Sequence, residues 1–189
     1  SRRLASWAAL RRRSSSWATS FSPAPNADVS ALTLQPDGKI LVAGSFSAIA
    51  GGTRNFIARL NANGTVDSEF DPNANNAVAA LAVQRDGKII LGGSFSTLQP
   101  PGNENSATRN RLARLNADGS FDQTFNPGGA GLNNRIRKIV RQSDGQILIG
   151  GDFTTYNGTS RAYIARLNAD GTLDATFNAS ITTSSSFRS

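Results

Sequence analysis

Gln35-Pro36-Asp37-Gly38-Lys39-Ile40-Leu41-Val42-Ala43-Gly44-Ser45-Phe46 is the stretch that decides how this chain folds. Its Asp-Gly pair lies between two apolar runs, the strongest short-range signal for a β-hairpin. The run from Ile40 to Ala43 is apolar at every position, and so short a continuous run predicts a strand buried on both faces. Gly44 then allows a neighbouring sheet to come close. The pattern returns at Asp86-Gly87-Lys88, leading to Gly93-Ser94-Phe95, and at Asp144-Gly145-Gln146, leading to Gly151-Asp152-Phe153. The steps between Asp-Gly pairs are 49 and 58 residues. Most of that difference is an insertion around Gln99 to Ser106 with a few Gly-rich residues at Gly128 to Gly131, which loops absorb cheaply.

Each copy continues into a second hairpin. In the first it reads Ile57-Ala58-Arg59-Leu60-Asn61-Ala62-Asn63-Gly64-Thr65-Val66-Asp67 and closes at Phe70. The second runs through Leu112 to Gly119, Asp122 and Phe125, and the third through Ile164 to Gly171, Asp174 and Phe177. Four antiparallel strands in a repeat of about 50 residues describe a propeller blade. The expected fold is all-β: a β-propeller forming an open arc of about three four-stranded antiparallel blades. Helix is the weaker reading, since apolar residues at 3.6 spacing occur only faintly within the first 13 residues.

The divisions follow: 1–17, an atypical Arg/Ser-rich segment; 18–27, the end of a preceding repeat; 28–75, 76–132 and 133–178, the three blades; and 179–189, a Ser/Thr-rich tail. Residues 1–17 are acid-free and so look like a transit peptide. A broken repeat is favoured, because Ala18-Thr19-Ser20-Phe21-Ser22-Pro23 matches a repeat ending directly after them. Propellers close with about 4 to 8 blades. The chain is therefore expected to be a fragment of a longer protein, or half of a six-bladed assembly.

Composition excludes much chemistry. The 189 residues include no cysteine, histidine or methionine, which removes disulfides, Cys/His zinc sites, cysteine nucleophiles and any Ser-His-Asp triad. The net charge of +7 is concentrated at Arg2, Arg3, Arg11, Arg12 and Arg13; beyond them 15 basic residues face all 13 acidic ones. That near-neutral body makes no case for nucleic acid. No apolar run approaches the roughly 18 to 20 residues that cross a bilayer, so no membrane span is expected.

The segments 35–46 and 164–178 resemble the delta-60 repeat family of bacterial β-propeller blades, with a match over roughly residues 18 to 178. The resemblance implies the propeller fold and an extracellular or cell-surface setting within a large protein. It implies no established activity and no functional residue. Kelch repeats share the Gly-Gly and the approximate period, but their aromatic pattern is missing.

Arg59, Arg114 and Arg166 recur inside an apolar strand, which would suit a ring of anion-binding arginines. Register gives a structural account. If the Ala-Asx-Gly turn is a three-residue loop, Arg59 faces Asp67, Arg114 faces Asp122 and Arg166 faces Asp174, and each pair satisfies a charge costly to bury alone. The Asn-Ala-Asp-Gly turns resemble a calcium loop but lack its closing Glu, and turn chemistry explains them better. Among the acids only Asp152 departs from its repeat equivalents, Ser45 and Ser94. The third repeat also carries Arg135, Arg137, Lys138 and Arg141 where the others are mostly apolar. These four, with Asp152 and Tyr156, are the candidate ligand-binding residues, against the alternative of a solvated edge. No catalytic residue, metal or cofactor is expected.

The preferred function is a non-catalytic binding or scaffolding module of a larger surface or secreted protein. Its partners would be a protein or carbohydrate ligand, and the remaining blades of a parent chain or a second copy. The alternatives are a hydrolase or lyase with its site at a channel mouth, or a structural spacer.

Overall fold

The computed structural model describes residues 21–100, 107–126 and 129–179. Segment 1–17, the start of segment 18–27, most of the insertion and the tail beyond Ala179 lie outside the described residues. Among those described, every regular element is a strand. No helix there is long and apolar enough to cross a membrane.

Three antiparallel sheets follow one another along the chain. The first is β1 (Val29–Leu34), β2 (Ile40–Gly44) and β5 (Ile57–Leu60); β3 (Ala48–Ile49) and β4 (Gly52–Thr53) form a small hairpin beside it. The second has β6 (Val78–Val83), β7 (Ile89–Gly93) and β10 (Leu112–Leu115), with the hairpin β8 (Thr97–Leu98) and β9 (Ala107–Thr108). The third has β11 (Ile136–Arg141), β12 (Ile147–Gly151) and β15 (Ile164–Leu167), with the hairpin β13 (Thr155–Tyr156) and β14 (Thr159–Ser160). The first strands lie side by side, β6 between β1 and β11, so the sheets stand as the blades of an open propeller.

The fourth strand of each blade is cut down to a single bridge, Leu60 to Val66, Leu115 to Phe121 and Leu167 to Leu173. The residue after the bridge partner is the reason. Asp67 donates its N–H to the Arg59 carbonyl at 2.8 Å, then accepts the Glu69 N–H on Oδ1 at 3.1 Å. Asp122 and Asp174 do the same for Thr124 and Thr176, each at 2.9 Å. An aspartate turn of this kind offers the backbone an alternative to the ladder, and the strand ends there.

The middle strands are sandwiched. Leu41 and Ala43 pack with Ile89 and Leu91 in the core between the first two blades, and Ile90 packs with Ile147 and Ile149 in the next. This is why β2 and β7 read as continuous apolar runs. A bulge at Ser30, Ala79 and Arg137 shifts the register of each first strand. There the carbonyl of the residue before the strand comes so near the sheet that a Cβ on Gly44, Gly93 or Gly151 would sit 2.0 to 2.2 Å from it. Only glycine fits.

Candidate functional site

The turn ends of the blades carry the recurring charges. Arg59, Arg114 and Arg166 each donate Nε to Oδ2 of Asp67, Asp122 and Asp174, at 2.7 Å in all three blades. Phe70, Phe125 and Phe177 lie under the guanidinium groups at 4.5, 4.7 and 4.9 Å, within the range of a cation–π contact. A second donor reaches the same carboxylate oxygen from the first hairpin: Lys39 Nζ at 2.7 Å, Lys88 Nζ at 2.9 Å and Gln146 Nε2 at 3.0 Å. Sequence reasoning paired the arginines with the aspartates but missed these partners and the phenylalanines.

Burial works to raise the Asp67 carboxyl, but hydrogen bonds from Lys39 and then Arg59 outweigh it and leave it below the usual range. At Asp122 burial is likewise overcome, by Lys88, Thr124 and Arg114, and the carboxyl falls far below that range. The Thr176 hydroxyl and N–H, with Arg166, bring Asp174 to about 2. These carboxylates are acceptors that stay ionised, each held by an arginine of its own blade and by a lysine or glutamine of the first hairpin. They hold the fold, and in the first two blades they and the following turn commit Arg59 and Arg114 to it.

The opposite, loop end of the third blade is where the repeat departs from itself. Arg137 sits at the bulge of β11, which turns its side chain toward the start of the next connection. There Arg137 grips Asp152 with both arms, Nε to Oδ1 at 2.8 Å and Nη2 to Oδ2 at 2.9 Å, while Arg135 Nε reaches Oδ2 at 2.7 Å. All three side chains are substantially exposed. Arg137, opposed by burial and helped by Arg135, holds the Asp152 carboxyl below its ordinary value, and Asp152 in turn raises Arg137. The structure thus brings together three of the six candidate ligand residues. Lys138 is exposed and Arg141 half-buried further along β11, away from that carboxylate.

Tyr156 requires a correction. It is fully buried, in the place of Ile49 and Leu98 in the other blades, and its hydroxyl donates to the Gly171 carbonyl. Burial, with the nearby Asp170 charge, pushes its hydroxyl far above the usual tyrosine range. It is a core residue with a satisfied polar tip, and no ligand on the surface can reach it.

A second feature of the loop end escaped the sequence reading. Asn26, Asn75 and Asn133 recur at the repeat spacing, and each ties the connection entering a blade to the connection leaving its second strand. Asn75 Oδ1 accepts the N–H groups of Ser96 at 2.8 Å and Thr97 at 3.1 Å, while its Nδ2 donates to Ser96 Oγ at 2.9 Å. Asn26 does this with Ser47 and Ala48, and Asn133 with Thr154 and Thr155. Among the described residues no cluster of three or more acidic side chains could hold a metal ion.

Comparison with known proteins matches this geometry at the level of fold. A family model described as a domain of unknown function (DUF5122) beta-propeller matches residues 35–70, 84–125 and 142–177. Two solved structures are similar. One is a protein of unknown function from Bacteroides caccae, 12% identical with a TM-score of 0.40, covering 75% of this chain and 46% of its own. The other is the extracellular domain of a proposed one component system from B. thetaiotaomicron, 16% identical with a TM-score of 0.33, covering 88% of this chain and 24% of its own. The chain spans less than half the length of either. No curated protein matches it. Each of the three matched segments runs from the first hairpin turn of a blade to its closing phenylalanine, together they cover more than half of the sequence, and the chain belongs to the DUF5122 beta-propeller family.

Proposed function

We propose that this chain is a non-catalytic interaction module, a run of propeller blades that binds a protein or carbohydrate partner through its loop end, within a larger surface or secreted protein. The observation that carries this reading is the Arg135–Arg137–Asp152 cluster. The residues that set the third repeat apart are paired with one another at an exposed loop end, with one positive charge left over. Such a cluster suits an acidic group on a ligand, since a carboxylate or sulfate can share the two guanidinium forks with Asp152. It suits general acid catalysis poorly, because a general acid needs a raised pKa and Asp152 is lowered. The delta-60 resemblance supplies the expected setting outside the cell. Titrating the full chain against immobilised sulfated, uronate-rich and neutral glycans tests the reading. Salt-sensitive binding to the acidic glycans, weakened by Arg137→Ala and without product release, is expected. Turnover of any of these glycans would overturn it.

A further inference from the structure

We propose that Asp152 is an intramolecular stand-in for the acidic group of the ligand. Its carboxylate occupies the edge of Arg137 best suited to a sulfate or carboxylate of an acidic glycan, so the ligand's group competes with it and the affinity of the loop end is held down. The proposal rests on the reading that the loop end binds such a group, and it assigns that site its own competitor.

The fold does not require this trio of charges. The positions of Arg135, Arg137 and Asp152 are taken by Asp28, Ser30 and Ser45 in the first blade and by Ala77, Ala79 and Ser94 in the second. The backbone closes alike in all three. Ser45 donates its N–H to the Asp28 carbonyl at 2.9 Å, Ser94 to that of Ala77 at 2.8 Å and Asp152 to that of Arg135 at 3.0 Å. The bulge falls at the matching residue each time. Two guanidinium groups and their carboxylate are therefore additions to a frame that small side chains already satisfy. Exposed ion pairs of this kind add little to stability.

Anchorage separates Asp152 from the aspartates at the turn ends. Asp122 Oδ1 accepts the Thr124 N–H at 2.9 Å and the Thr124 hydroxyl at 2.6 Å, and Thr176 caps Asp174 at the same two distances. Those carboxylates are fastened to their own backbone. Among the described residues, Asp152 accepts only from Arg137 Nε and Nη2 and from Arg135 Nε. Its side chain is 32% exposed, against 4% for Asp122. A change of rotamer can therefore carry it into water without breaking a bond to the backbone. The arginines would stay behind on a frame that the Asn134 side chain steadies, its Oδ1 accepting the Arg135 N–H at 2.8 Å. The edge vacated is Nε with Nη2 of Arg137, the side of a guanidinium that grips two oxygens of one anionic group. With Asp152 in place the cluster carries one net positive charge and offers a ligand only its remaining Nη groups. With Asp152 swung away it carries two and offers the fork itself.

The test titrates the full chain with sulfated and with uronate oligosaccharides of equal length, at low and at high salt, comparing the native protein with Asp152→Ser and Asp152→Asn. Serine is the residue that the first two blades carry at this position, and urea midpoints check that both variants are folded. Removing the competitor should tighten binding about tenfold, the worth of two exposed ion pairs that the ligand no longer has to replace. It should also make binding more salt-sensitive. Arg137→Ala in the Asp152→Ser background should take the gain away. A gain with the sulfated ligand alone names sulfate as the group, and a gain with the uronate alone names carboxylate. Native binding that both Asp152 variants leave unchanged would overturn the proposal and leave the loop-end reading standing. Weaker binding by folded variants would do the same, because Asp152 would then be orienting the arginines for the ligand. Absence of binding by native and variant chains alike would overturn both. A gain with poly-glutamate and with neither glycan would overturn the choice of a glycan.

Discussion

Asp122 and Asp174 stand at the same point of successive repeats, grip their arginines at the same 2.7 Å, and cap the same threonine turn. Their surroundings differ. Asp122 also holds a lysine, its arginine reaches into the next blade, and its phenylalanine is enclosed; Asp174 has a glutamine, an arginine that is 25% exposed against 9% for Arg114, and a half-buried ring. Local sequence builds the same hairpin twice, while the neighbouring blade sets how much each residue contributes. A repeat protein distributes stability across junctions as well as units.

That contrast can be broken most forcefully at the rings. Phe125→Ala should cost about 4 kcal/mol, as for other enclosed aromatic side chains, with Phe177→Ala costing less than half as much; urea unfolding of the two variants decides this. Equal losses would mean the second junction is no tighter than the outer face. Next in size is the carboxylate. Asp122→Ala leaves Arg114 and Lys88 facing a vacated buried site and should cost about 3 kcal/mol, again with a smaller loss at Asp174.

The same pairs make stability pH-dependent, with a sign that can be worked out. Folding lowers the pKa values of Asp67, Asp122 and Asp174 below the unfolded value of about 4. Their contribution is therefore complete above that value and drains away as the pH falls, through about 2 for Asp174. The urea midpoint should drop steadily below pH 4, and Asp122→Asn should flatten that slope more than Asp174→Asn does. A slope unaffected by Asp122→Asn would place the acid sensitivity elsewhere.

Glycine offers a finer comparison. Gly92→Ala drives a methyl into Ile136 and Ile139 and should cost about 2 kcal/mol, in the range of overpacked cores. Gly150→Ala meets nothing within 3.8 Å and should be neutral or slightly stabilising. Melting curves of the pair would show it. The smallest effect is expected at Asp152→Asn, which breaks exposed ion pairs and should move stability by less than about 1 kcal/mol; a larger loss would make the cluster a structural clamp.

Much of this was legible in the residues, and the reasons are local. Asp37-Gly38 and Ala62-Asn63-Gly64 define their hairpins, and a three-residue loop places Arg59 opposite Asp67 by counting alone. Lys39 was not legible in that way. It meets Asp67 only after two hairpins are laid on one another, and counting within either says nothing about the other. The shortened fourth strand was hidden because Asp67 serves two purposes, one oxygen for the arginine and one for the backbone. Tyr156 was misjudged as a polar residue, although its repeat equivalents Ile49 and Leu98 mark a core position. Asn26, Asn75 and Asn133 carried a usable signal in their spacing, obscured because asparagine in a loop is ordinarily read as turn chemistry. The Asp152 cluster was half visible: its departures from the repeat stood out one by one, but only the bulge at Arg137 brings them to a single point.

The small hairpin in each connection has a consequence for engineering. Thr97 pairs with Thr108 and Leu98 with Ala107, just as Ala48 pairs with Thr53 and Ile49 with Gly52. Two residues separate the strands in the first blade and eight in the second, yet both ladders close and the third strand re-enters its sheet in the same register. The connection thus works as a socket with a fixed base and a free span, and lengthening the span costs only the slow logarithm of loop closure. Foreign peptides of about ten residues inserted between Gly51 and Gly52, or between Gly158 and Thr159, keep the bonds of Ala50 to Pro23 and of Asn157 to Asn126 and Gly131 and should be displayed without disturbing the blades. The two sockets, with the natural one at Leu98 and Ala107, would give a scaffold three display positions on one rim.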